Sequence, residues 1–123
     1  MVRVFLSCVD VQLCEKLREL FKDEGALAVC ETAGGIDALK NVLELVPDLV
    51  IVELRPRMPD ELDIVEAIKT VLPNTPLFIV SDDDTIETER EALARGVDAV
   101  FEKNGLDSLM QNARAVLSRD RFP

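Results

Sequence analysis

Glu53 closes the apolar run LVIVE, and the loop behind it, LRPRMP, carries Arg55 and Arg57. A carboxylate at the end of a buried strand is unfavourable unless it has a partner or a task. Three other apolar runs end on polar or reactive groups. VRVFL leads into Ser7, Cys8, Val9 and Asp10; PLFIV leads into Ser81 and the acidic run Asp82, Asp83, Asp84; DAVFE leads into Lys103. A carboxylate, a hydroxyl and a lysine brought to one edge can form a charge-assisted hydrogen-bond network around an anion. Chemistry on an outside substrate has no support: there is no histidine, no nucleophile and base pair, and no phosphate-binding glycine loop.

The apolar runs themselves define the scaffold. Strands are expected at 2–6, 27–31, 48–54, 76–80 and 98–102, and the third and fourth are apolar on both faces, as in a parallel sheet covered on two sides. The segments between them carry single apolar stripes at helical spacing. Leu13, Leu17, Leu20 and Phe21 mark the first; Leu39, Leu43 and Val46 the second; Ile64, Val65, Ile68 and Leu72 the third; Leu106, Leu109, Met110, Ala113, Val116 and Leu117 the fifth. The fourth, TIETEREALAR, has only Ile86, Ala92 and Leu93 as anchors and is expected to be loosely held. Asp10 is placed to cap the first helix, Asp84 with Glu87 to form a capping box for the fourth, and Gly25 and Gly96 to end helices. Five strand and helix alternations predict a doubly wound α/β sandwich, in which sites lie beyond the carboxyl ends of the strands. The chemistry-bearing residues above are those ends.

Composition narrows the partners. The 123 residues suit one domain, and the apolar runs fall short of the ~20 residues of a membrane span. A net charge of −10, with neither tyrosine nor tryptophan, argues against nucleic acid and anionic lipid, leaving proteins or a small ligand. The N-terminal MVRVFLSCVD shows no secretion signal, so a cytoplasmic address is expected. Cys8, Cys14 and Cys30 lack paired metal-ligand spacing and are expected to be reduced thiols, Cys14 and Cys30 serving as small packing residues.

Over essentially its whole length the sequence resembles the receiver domain of two-component response regulators. The resemblance rests on PDLVIVELRPRMPDELDIVEAI around the third strand, IVS closing the fourth, and ARGVDAVFEKN leading to Lys103. RVFLSCVDVQLCEKLRELF and VCETAGGIDAL look most like receivers joined to helix-turn-helix DNA-binding domains. The resemblance implies a flavodoxin-like sheet of strand order 2-1-3-4-5 with five helices, here as a single receiver-like domain over 1–123 without an output domain. It also implies a site. Ser81 and Lys103 match the family's hydroxyl and lysine; the phospho-accepting aspartate falls on Glu53; the magnesium-holding acidic pair falls on Cys8 and Val9, with Asp10 next; the aromatic switch position falls on Val100, beside Phe101; and the proline after the lysine is Asn104.

The departures are chemically selective. Magnesium rests on oxygen ligands, and Cys8 and Val9 supply none, so magnesium binding is expected to be lost or weak and no other cofactor is implied. Glu53 extends the acceptor carboxylate by a methylene, which is unfavourable for in-line phosphoryl transfer. The leading expectation is therefore a pseudo-receiver, not an enzyme, that signals by protein contacts in a two-component or related pathway without phosphorylation. By resemblance its docking face is the fourth helix, fifth strand and fifth helix, and self-association through the same face is a second possibility. Glu53 beside Lys103 reads either as a permanent mimic of the phosphorylated state or as an ion pair without signal. Asp82 to Asp84 read most simply as a solvated capping loop, and Arg55 and Arg57 as a solvated loop or an anion contact. Two other functions stand beside the first: an atypical receiver that still accepts phosphate with help from Asp10, and a thiol sensor at Cys8, whose pKa a nearby Lys103 would lower.

Overall fold

The computed structural model describes residues 1–31, 35–54, 60–82 and 86–121. Arg55, Arg57, Asp83 and Asp84, and with Asp84 the expected capping box, lie outside the described residues. The elements alternate strictly: β1 Arg3–Ser7, α1 Val11–Asp23, β2 Leu27–Glu31, α2 Gly35–Leu45, β3 Leu49–Leu54, α3 Asp60–Val71, β4 Leu77–Ser81, α4 Ile86–Ala94, β5 Ala99–Glu102 and α5 Leu106–Arg121. All five strands are parallel, in the order β2-β1-β3-β4-β5. Every residue of β3 and β4 is buried, which is why both runs are apolar on both faces.

Successive strand residues face opposite sides of the sheet, so each strand feeds two cores. Val4, Leu6, Leu49, Ile51, Phe78 and Val80 join Leu13, Leu17 and Phe21 of α1 and Leu109, Met110 and Ala113 of α5 on one side. Phe5, Val50, Val52, Leu77 and Ile79 join Ala38 and Val42 of α2, Val65 and Ile68 of α3 and Ala92 of α4 on the other. This parity decides what the strand ends present. Glu53 continues the Leu49 and Ile51 set toward α1 and α5, whereas Ser81 continues the Leu77 and Ile79 set.

Three expectations about packing change. In α2 the buried stripe is Ala38 and Val42, flanked by partly buried Leu39 and Leu45, while Leu43 and Val46 are exposed. The two stripes are one residue apart, and hydropathy favoured the leucines over the smaller Ala38 that close approach to the sheet requires. In α4 Leu93 is 45% exposed, and Arg95, just past the helix, adds ion pairs with Asp63 at 2.6 Å and Glu66 at 3.6 Å on α3. Cys14 and Cys30 are not separate packing residues: the structure joins them in a disulfide between α1 and β2, with Cα atoms 6.6 Å apart. Cys30 lies beside Leu6 in the sheet, on the face that α1 covers, and Cys14 belongs to the buried stripe of α1.

The helix ends follow local chemistry. Asp10 caps α1, its Oδ1 accepting from the N–H groups of Gln12 at 3.0 Å and Leu13 at 3.3 Å. Gly25 and Gly96 have φ of 78° and 100°, a region that favours glycine. Val46, just past α2, adopts φ 49° although it is β-branched. Its side chain is 64% exposed and little packing would be lost on removing it, so Val46→Gly is expected to raise stability by about 1 kcal/mol, read as a higher urea midpoint at unchanged m-value.

Candidate functional site

Parallel strands deliver their carboxyl ends to one edge of the sheet, and there Glu53, Asp10, Asp82 and Lys103 meet. β3 carries Glu53 to the edge, buried although charged. Its two oxygens have separate partners. Oε1 accepts the backbone N–H of Val9 at 2.7 Å and of Asp10 at 2.9 Å, and Oε2 receives the Lys103 ammonium at 2.8 Å. The N–H donors are available because the chain turns between β1 and α1, where they are not used by the sheet or the helix. Charge-assisted bonds of this kind are roughly twice as strong as neutral ones.

Lys103, just past β5, also lies 3.3 Å from Asp82 Oδ2 and 3.5 Å from Asp10 Oδ2. One ammonium thus faces three carboxylates. Hydrogen bonding to Glu53, then Asp82 and the fields of both, raises the Lys103 pKa against the opposing effect of burial. For Glu53 burial acts upward, but the Asp10 N–H, the Lys103 ammonium and the Val9 N–H outweigh it and hold the carboxyl below the usual range. Asp10 is held low chiefly by the Leu13 N–H of its own cap, with Lys103 and the Gln12 N–H adding to it against burial.

The residues picked out from the sequence occupy different places. Glu53, Lys103 and Asp10 share one network. Val9 enters it through its backbone, its side chain being exposed. Ser81 is buried at the end of β4, its Cα paired with that of Leu54, one position beyond the Glu53 and Val80 pair. Val100 packs into the α2, α3 and α4 side of the core, while its neighbour Phe101 packs on the other side, its ring edge-on to Phe78 at 5.3 Å. Asp82 was expected to be only part of a solvated capping loop, yet it contacts Lys103. Its position directly after Ser81 at a strand end was the available signal. The Val9 and Asp10 backbone donors had none, because a peptide N–H is the same in every residue but proline.

Cys8 reverses its expectation. The thiol is 2% exposed, inside the core under α1, and its pKa is pushed up to about 12 by burial and by Glu53 and Asp10, which outweigh Lys103. A lysine already neutralised by carboxylates does little to stabilise a thiolate, so a sensor at Cys8 is not supported. The native protein at pH 8 is expected to leave Cys8 unalkylated by iodoacetamide over a period in which the urea-unfolded chain reacts fully. Rapid native labelling of the Cys8 peptide would contradict this.

Comparison with known proteins agrees with this architecture. Residues 10–114 match the family described as the response regulator receiver domain. The chain is 31% identical over 113 residues to the transcriptional regulatory protein ZraR of Salmonella typhimurium, covering 91% of this chain and 25% of that protein. It is 29% identical over 114 residues to ZraR of Klebsiella oxytoca, covering 92% and 26%. It therefore spans about a quarter of the length of these curated relatives. The structure of the Francisella response regulator 1452 receiver domain superposes with a TM-score of 0.83 at 20% identity, covering 98% of this chain and 99% of that one. Among the described residues no helix is long and apolar enough to cross a membrane. The family match and the strand order agree on one assignment, and the chain belongs to the response regulator receiver domain family.

Proposed function

We propose that this receiver signals without phosphorylation, through protein contacts, with Glu53 and Lys103 holding its site in one state. The observation that carries this reading is the saturation of Glu53: one oxygen takes two backbone N–H groups and the other takes Lys103. A carboxylate so engaged is neither free to attack a phosphodonor nor exposed to one. The magnesium that the family implies does not suit these residues. Val9 offers no oxygen ligand from its side chain, Cys8 offers a buried protonated sulfur, and Asp10 is engaged as a helix cap and with Lys103. Without an acidic pair at Cys8 and Val9, phosphoryl transfer lacks the cation that neutralises its developing charge.

The output is a docking surface, and the side formed by α4, β5 and α5 suits it. β5 is the sheet edge and only half-buried, Leu93 is exposed, and α4 leans on α3 through Arg95. A protein partner, or a second copy of the chain, would bind there, and a cytoplasmic setting goes with that role. Incubation with acetyl phosphate and magnesium is expected to leave the intact mass unchanged, and magnesium with beryllofluoride to leave the amide signals of Glu53, Ser81 and Lys103 in place. A magnesium-dependent gain of one phosphoryl group would overturn the proposal in favour of an atypical receiver helped by Asp10.

A further inference from the structure

The Cys14 and Cys30 pair stands one helical turn from the site. Cys30 is on β2, an edge strand paired only with β1, and its side chain is partly buried, whereas Cys14 is 4% exposed beneath it. Cys30 is therefore the most exposed of the three cysteines, and Cys14 and Cys8 are buried. From Cys14 the covalent and hydrogen-bonded path to the site is short. The Cys14 N–H donates to the Asp10 carbonyl at 3.0 Å, the Asp10 N–H donates to Glu53 at 2.9 Å, and the Asp10 carboxylate lies 3.5 Å from Lys103. The first turn of α1 is thus held by the sulfur pair at one end and by the Glu53 network at the other.

We propose that Cys14 and Cys30 form a reversible thiol–disulfide exchange site whose state is transmitted through the first turn of α1 to Asp10, Glu53 and Lys103. The oxidant is a small-molecule disulfide. The Cys30 thiolate attacks one of its sulfurs, that disulfide bond breaks, and one small thiolate leaves. The Cys14 thiolate then attacks the Cys30 sulfur of the mixed disulfide and expels the second. Two cysteines lose two electrons, the small disulfide gains them as two thiols, and the two cysteine protons end on those thiols. The reverse sequence, begun by a small thiol attacking Cys30, reopens the bond. Cys8, buried and held protonated, stays outside the exchange. This inference does not depend on whether Glu53 accepts phosphate.

The test places the whole chain in glutathione buffers from fully reduced to mostly oxidised, blocks free thiols, and reads the cross-link by intact mass and peptide mapping. Amide NMR spectra of the two end states complete it. The expected result is a Cys14–Cys30 cross-link that forms and reopens across the series, with Val9, Asp10 and Lys103 amides shifting between end states in the native chain but not in Cys30→Ser. Failure to cross-link in excess oxidised glutathione, or a cross-link that reduced glutathione never opens, would overturn the exchange. Exchange without shifts at Val9, Asp10 and Lys103, or shifts that persist in Cys30→Ser, would overturn the transmission. The phosphodonor experiment reads a different mass change, so each idea fails separately.

Discussion

Lys103→Ala is expected to lower the stability of the folded chain by about 3 kcal/mol at pH 7, equivalent to a melting temperature lower by roughly 10 °C for a domain of this size. The effect comes less from the bond lost than from what is left. Glu53 is buried, and without the ammonium at 2.8 Å its charge keeps, among the described residues, the Val9 and Asp10 N–H groups. Breaking one side of a buried ion pair costs more than the intact pair contributes, so Glu53→Leu combined with Lys103→Met is expected to recover much of the loss. The pH dependence follows from the same contacts. Glu53 has a folded pKa below its ordinary value, so its contribution is complete above the unfolded value and is lost as pH falls through the folded one. Lys103 has a raised pKa; its contribution is complete below the unfolded value and is lost as pH rises through the folded one. The gap between wild type and Lys103→Ala is therefore widest near neutrality and narrows in acid, where Glu53 takes up a proton and no longer needs a cation. Urea denaturation at pH 7 and pH 4 measures both points. A loss under about 0.5 kcal/mol at pH 7, the range of an ordinary surface substitution, would mean that Glu53 and Lys103 do not depend on one another.

Opening the Cys14–Cys30 bond is expected to have an effect of similar size by a different route. The bond closes a loop across a sequence separation of 16 and restricts the unfolded chain, which corresponds to about 3 kcal/mol for a loop of that length. The reduced protein should then unfold at lower urea concentration than the oxidised one, with a somewhat larger m-value because its unfolded state is less compact. Cys30→Ser should match the reduced form in either condition. A native chain whose midpoint is the same in the presence and absence of a strong reductant would contradict the expectation. The two measurements read different things: the first responds to pH through Glu53, and the second responds to added reductant.

How much of this was legible beforehand depended on how local each signal was. Periodicity in LVIVE and LFIV, the Asp10 cap and the glycines at 25 and 96 involve neighbours in the chain, and the structure places those strands and helix ends within about a residue of expectation. Spacing alone does not choose the α2 stripe, because two sets of apolar residues lie one position apart, and the sheet beneath selects Ala38 and Val42. Asp82 reads in the sequence as part of a run with Asp83 and Asp84, although its strand-end position brings it to Lys103.

The sequence by itself determined the parallel α/β architecture and the set of strand-end residues, among them Cys8, Val9 and Glu53, since both depend on residue type and short-range spacing. Only the tertiary structure decided what those residues do to one another. It turned Glu53 onto the N–H groups of Val9 and Asp10, enclosed Cys8 so that burial outweighs the nearby lysine, and brought Cys14 to Cys30. The reason is physical: backbone donors carry no residue code, burial depends on elements distant in the chain, and a pair of sulfurs is made by the register of β2 against β1 and the rotation of α1.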